Sequence, residues 1–143
     1  MPLKPVLLSL ALLMSFSGVH LQAQTALTDL NQLRWQHRII LVEDSDEKSK
    51  VLAQFEDKQP EIVDRHIIWF ALVNQRWHSN YPGDIAPELV KAFEQSYLDG
   101  DKQAVLIGKD GGIKSTQEQL NLDALFALID IMPMRRAEIG TKQ

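Results

Sequence analysis

Cysteine is absent from this 143-residue chain. Disulfide staples, thiolate metal centres, iron–sulfur clusters and every reaction with a sulfur nucleophile are therefore excluded, whatever the fold. Glycine and proline are scarce, at 7 and 6 residues, which removes collagen-like and low-complexity architectures. Positive charge is in deficit, with 15 Lys and Arg against 19 Asp and Glu, so the net formal charge is −4. A mildly acidic chain is a poor partner for nucleic acid or for anionic membrane surfaces. No hydrophobic run is long enough to span a membrane, since the most apolar stretch, Val6 to Phe16, is well under the roughly 20 residues required. What is present, 45% hydrophobic and 24% charged residues without internal repeats, is the make-up of one globular domain rather than of a disordered chain.

The first residues carry one early cation, Lys4, then the Val6 to Phe16 run, then Gly18 and the small residue Ala23. This is the layout of a secretory signal peptide, expected to span residues 1–23 with cleavage after Ala23. Its removal would leave 120 residues with a formal charge of −5, exported to a periplasmic or extracellular location and without stable membrane insertion. Residues 24–37 then read as an N-terminal arm or short helix carrying Leu27, Leu30 and Leu33, ahead of a domain over 38–143.

Three runs, Ile39 to Val42, His66 to Val73 and Ala104 to Ile107, are apolar at successive rather than alternate positions. Such strands must be covered on both faces, which requires helices on each side of a sheet. Asp46 to Lys58 supplies one helix, with Val51, Leu52 and Phe55 on a stripe, an acidic start (Asp44, Ser45, Asp46, Glu47) expected to cap it, and Pro60 to break it. Ile85, Leu89, Phe93 and Tyr97 recur every four residues in a second helix, with Pro87 in its first turn and Gly100 at its exit. Asn121 suits the N-cap of a third, with Leu122, Leu125, Phe126 and Ile129 buried until Pro133 interferes. Asp110-Gly111-Gly112 reads as a tight turn into a fourth, shorter strand.

The predicted order is β-α-β-α-β-β-α. The first βαβ unit is a parallel crossover and the last two strands are an antiparallel pair, giving an α/β fold with a single mixed sheet and helices on both faces. That is the thioredoxin-like arrangement. A flavodoxin-like sheet is the alternative, and it would need a crossover after Ile107 in place of a hairpin.

Four stretches, Leu33 to Val42, Asp64 to Ile67, Val105 to Lys114 and Leu125 to Glu138, resemble the bacterial family known as domain of unknown function 4174. That family is related to a peroxiredoxin-like domain of vertebrate extracellular proteins with sushi repeats or a coiled coil. The strings Leu106-Ile107-Gly108-Lys109-Asp110-Gly111-Gly112 and Met132-Pro133-Met134-Arg135-Arg136 carry most of the specificity. The resemblance implies a thioredoxin-like fold, export, and no established activity. This chain departs from it after strand one, where Glu43-Asp44 replaces apolar or small residues.

A thioredoxin-like protein places its reactive thiol after strand one, at a helix N-terminus. Here that position holds Glu43, Asp44, Ser45, Asp46 and Glu47, whose four carboxylates oppose a bound anion. Ser45 has no evident base, and the spacing lacks the glycine and terminal glutamate of a calcium loop. His37, His66 and His78 are not spaced as a metal pair, and His66 reads as a partly buried structural residue. Gly108 to Gly112 lacks the Gly-Lys-Ser/Thr ending of a phosphate loop and reads as a turn. No catalytic residue, metal or cofactor is assigned.

Two regions are candidates for contact with a ligand or partner. One is the connection from Asn74 to Pro87, with Arg76, Trp77 and Tyr81. The other is Arg135 and Arg136, placed near the end of the third helix with Asp130 as a partner for one of them. The function expected is an exported, non-redox binding module whose partner is a protein or envelope component. The alternatives are a cysteine-independent enzyme, favoured by a pocket lined by Trp77, Tyr81 and Arg135, and a structural module of an envelope assembly.

Overall fold

The computed structural model describes residues 25–98, 100 and 103–142; the expected leader and its cleavage point lie outside the described residues. Five strands, β1 (Arg38–Asp44), β2 (Ile67–Val73), β3 (Arg76–Ser79), β4 (Ala104–Ile107) and β5 (Ile113–Gln117), form one sheet in the order β3-β2-β1-β4-β5. β1 runs parallel to β2 and antiparallel to β4, and the β2–β3 and β4–β5 pairs are antiparallel. The antiparallel β1–β4 pairing excludes the flavodoxin-like alternative and is consistent with the thioredoxin-like arrangement. The helices are α1 (Val51–Asp57), α2 (Gln59–Asp64), α3 (Pro87–Ser96), α4 (Leu122–Asp130) and α5 (Pro133–Gly140).

The successive apolar residues of the central strands divide between two cores. Ile40, Val42, Ala104 and Leu106 face α1, α2 and α4, burying Phe55, Ile62, Leu125 and Ile129. Ile39, Leu41, Phe70, Val105 and Ile107 face α3 and the N-terminal arm, burying Leu27, Leu30, Leu33, Leu89 and Phe93. This alternation follows from the two-residue repeat of a strand and shows why both faces had to be apolar. The arm is a short 3-10 helix, Leu30–Leu33, capped by Asp29.

The structure departs from the expected one at five points. The acidic stretch does not cap a helix beginning at Asp46. The Asp44 carboxylate instead accepts from the Asp46 N–H at 3.0 Å and the Asp46 carboxylate from the Lys48 N–H at 2.9 Å, so two side-chain turns delay the helix to Val51. Pro60 and Pro133 do not merely end helices. Each occupies a first turn, where its missing N–H costs nothing, and begins α2 and α5. Arg135 and Arg136 therefore sit in the first turn of α5 and not at a C-terminal helix end. The Asn74 to Pro87 connection contains an edge strand, because Asn74 and Gln75 take positive φ values (49° and 62°) and close a two-residue hairpin into β3. β5 has five residues to the four of β4, so the last strand is not the shorter.

The third helix starts where expected, with the Asn121 side chain accepting from the Ala124 N–H at 3.0 Å. Replacing Asn121 by Ala is expected to cost about 1 kcal/mol, checked by a chemical denaturation midpoint.

Candidate functional site

The starts of β1 and β2, the end of β4 and the β4–β5 turn meet at one end of the sheet. Three cations are almost fully withdrawn from solvent there, Arg38 at 1%, Arg135 at 3% and Lys109 at 7% exposure. Sequence order brings each one in. Arg38 is the first residue of β1, Lys109 follows β4 in a turn closed by the Gly111 N–H on the Gly108 carbonyl (3.0 Å), and Arg135 lies in the first turn of α5.

Glu138 of α5 lies between them. It accepts from Arg38 at 3.1 and 3.3 Å, lies 2.6 Å from Lys109 Nζ and 3.7 Å from Arg135. Burial pushes its carboxyl up, but the hydrogen bonds from Lys109 and Arg38 outweigh this and hold it below the usual glutamate value. Arg38 also donates to the Arg65 carbonyl at 2.8 Å. Arg135 donates to the Asp64 carboxylate, to the Asp64 carbonyl at 2.7 Å and to Asp130 at 3.3 Å. Arg65 reaches Asp130 at 2.6 Å and Lys142 reaches Asp64 at 2.7 Å. Asp64, bonded by Lys142 and Arg135, falls to about 2. Among the described residues this network joins five cations (Arg38, Arg65, Lys109, Arg135, Lys142) to three carboxylates (Asp64, Asp130, Glu138).

Two histidines border it. Lys109 Nζ is 2.9 Å from His66 Nδ1, and an ammonium can only donate, so this imidazole is neutral with its proton on Nε2. His37 Nδ1 is buried without a hydrogen-bond partner, the one such side-chain atom among the described residues. Burial first, then the Lys109 charge, lowers the His66 pKa; burial first, then His66, lowers that of His37. Arg38 and Lys142 oppose protonation of His66 further, and Glu138 alone favours it. The unfolded chain thus takes up protons before the folded one. Stability present above about pH 6.5 is expected to fall as pH drops through the lowered folded values. Urea midpoints at about pH 7.5 and about pH 5.5 test this, with a smaller difference expected in His66→Gln.

Beside the network lies an open cleft of about 340 Å³ lined by Arg38, Lys109, Lys114, Met132, Pro133 and Met134, together with Gly108 and Asp110. Lys114 pairs with Asp110 at 2.7 Å across the turn. Gly108 makes this possible, because a Cβ there would meet Lys114 Cε at 2.5 Å.

The candidates from the sequence are scattered by comparison. Asp130 and Arg135 join the network, whereas Arg136 is exposed. Trp77 packs on Phe93 at 5.5 Å and Tyr81 on Phe70 at 6.4 Å, both on the α3 side of the sheet, away from the α2 and α4 carboxylates that hold Arg135. Arg76 is exposed on the edge strand. Trp77, Tyr81 and Arg135 thus lie on opposite sides of the sheet and line no common site. The acidic stretch Glu43 to Glu47 is at the other end of β1. Sequence reasoning missed Arg38, Lys109 and Glu138 as site residues, although a signal existed. The four stretches that carry the family resemblance contain every member of the network except Lys142.

Residues 29–138 match the model of a family described as Domain of unknown function (DUF4174). No curated protein and no solved structure matches the chain.

Proposed function

The chain belongs to the family described as Domain of unknown function (DUF4174), and from that premise we propose that it is an exported binding module that works without thiol redox chemistry and meets its ligand or envelope partner where β1 begins. One observation carries this reading: positive charge is gathered beside an open cleft, where five cations meet three carboxylates and three of those cations, Arg38, Lys109 and Arg135, are nearly fully buried. Buried charge is costly unless paired, and at the cleft Arg38 and Lys109, both nearly inaccessible, share one carboxylate, Glu138, which is understandable where an incoming acceptor completes the set. The acidic character of the chain as a whole sharpens the contrast, since its net charge is −4. Export is supported by the leader-like residues 1–23, and the absence of redox activity by the absence of any cysteine.

The test is expression of the full chain in a bacterial host, followed by fractionation and N-terminal sequencing. The expected product is an exported chain beginning within about three residues of Gln24. Insulin reduction and peroxide consumption by that product should match the buffer blank. An uncut chain in the membrane fraction, or turnover that survives removal of contaminating thiols and metals, would overturn the reading.

A further inference from the structure

We infer that the cleft between the β4–β5 turn and the first turn of α5 binds a carboxylate carried on an apolar body; this rests on the binding-module reading above. Its floor and its wall have different chemistry. Arg38 and Lys109 form the floor, each more than nine-tenths buried, and they share the single carboxylate of Glu138. That trio keeps one net positive charge, which one further carboxylate neutralises. Both terminal nitrogens of Arg38 already hold the Glu138 carboxylate, so Arg38 contributes charge to the floor and the donor for an incoming oxygen comes from Lys109. The Lys109 ammonium has three N–H donors and faces two acceptors, Glu138 and His66, which leaves one for an incoming group.

The wall is Met132, Pro133 and Met134. Thioether side chains adapt to irregular apolar shapes, so this wall suits an aliphatic or aromatic body better than a compact inorganic anion. Met132 also stands at the N-cap of α5 and offers no side-chain cap, and the first turn of the helix holds no acidic residue, so neither offsets its partial positive charge. The space, about 340 Å³, lies at the small end of ligand sites, roughly 300 to 1,000 Å³, and sets the ligand at the size of a medium-chain acid or the last residues of a peptide. Lys114 stands at the rim, partly exposed and held back by Asp110, with reach to a second oxygen of the bound group.

Calorimetric titration of the full-length protein tests this with octanoate, octanamide, octylammonium, inorganic phosphate, and an N-acetylated Ala-Leu-Leu peptide with either a free or an amidated C-terminus. Octanoate or the free-acid peptide should bind at least about tenfold tighter than its own amide, a difference of about 1.4 kcal/mol. The tighter of the two acids identifies the source of the carboxylate. Met134→Glu, at an exposed position that tolerates the change, should weaken acid binding by about tenfold or more by placing a competing carboxylate on the wall. Lys109→Gln should do the same, and a near-ultraviolet spectrum like that of the parent establishes that each variant is folded. Equal affinity for acid and amide, phosphate binding as tight as octanoate, octylammonium binding, unchanged affinity in folded Met134→Glu, or no binding of any acid would each overturn the inference. Failure here, with export intact and the redox assays blank, removes the ligand class and leaves the module reading in place. Failed export or genuine thiol-type turnover removes that reading whatever the titration gives.

Discussion

Replacing Glu138 by Gln is expected to lower folding stability by about 3 kcal/mol, read from the urea midpoint at neutral pH. Glutamine keeps the size and an acceptor but removes the charge. Arg38 and Lys109 then remain buried with no carboxylate within reach among the described residues, and Arg135 loses its third acidic neighbour. Removing one partner of a buried pair costs about 3 to 5 kcal/mol, because the charge left behind is desolvated without compensation. The lower end applies since Glu138 itself keeps 17% of its side chain exposed. Lys58→Ala breaks the Lys58–Asp123 pair, also close at 2.9 Å but in open solvent, and should give no resolvable loss. Equal effects of the two substitutions would show that the network contributes no more than a surface pair does.

Phe70→Ala should cost about 3 to 5 kcal/mol. Phe70 is fully buried in β2, beside the central strand, with Phe93 at 5.1 Å and Tyr81 at 6.4 Å between ring centres. Its loss removes a large apolar surface and opens a cavity bounded by a rigid sheet and by α3, neither of which can close over it. The measurement is again the denaturation midpoint, with an unchanged slope against urea as the sign that the fold itself is retained. A loss below about 1 kcal/mol would contradict the assignment of this face as a packed core.

The fold and the candidate site differ in how visible they are to sequence alone. Ile39 to Val42 and Ala104 to Ile107 announce buried strands because no polar residue interrupts them, and Asn121 announces a helix start because its side chain can do nothing else as useful there. β3 escaped because Arg76 to Ser79 is half-exposed on an edge and its turn, Asn74-Gln75, has no glycine to mark the positive φ values. α2 and α5 escaped because proline stops a helix and also starts one, and only the position of the preceding turn decides which. The charged network was the least legible element. Arginine and lysine are usually solvated, and nothing local distinguishes Arg38 or Lys109 from a surface residue until strands, turn and helix converge. The sequence offers Asp130 as a partner for Arg135 or Arg136 without distinguishing them, and places both at the wrong end of a helix; Arg135 is the one that pairs with it.

The most direct test of the account is a map of amide chemical shifts on the isotope-labelled protein as octanoate is added. The shifted resonances are expected to group on the β4–β5 turn, Gly108 to Lys114, and on Met132 to Arg136, the two segments that flank the cleft. Shifts grouped instead on Glu43 to Lys50 at the opposite end of β1, or on the β2–β3 hairpin around Arg76 and Trp77, would contradict it, as would no shift at all.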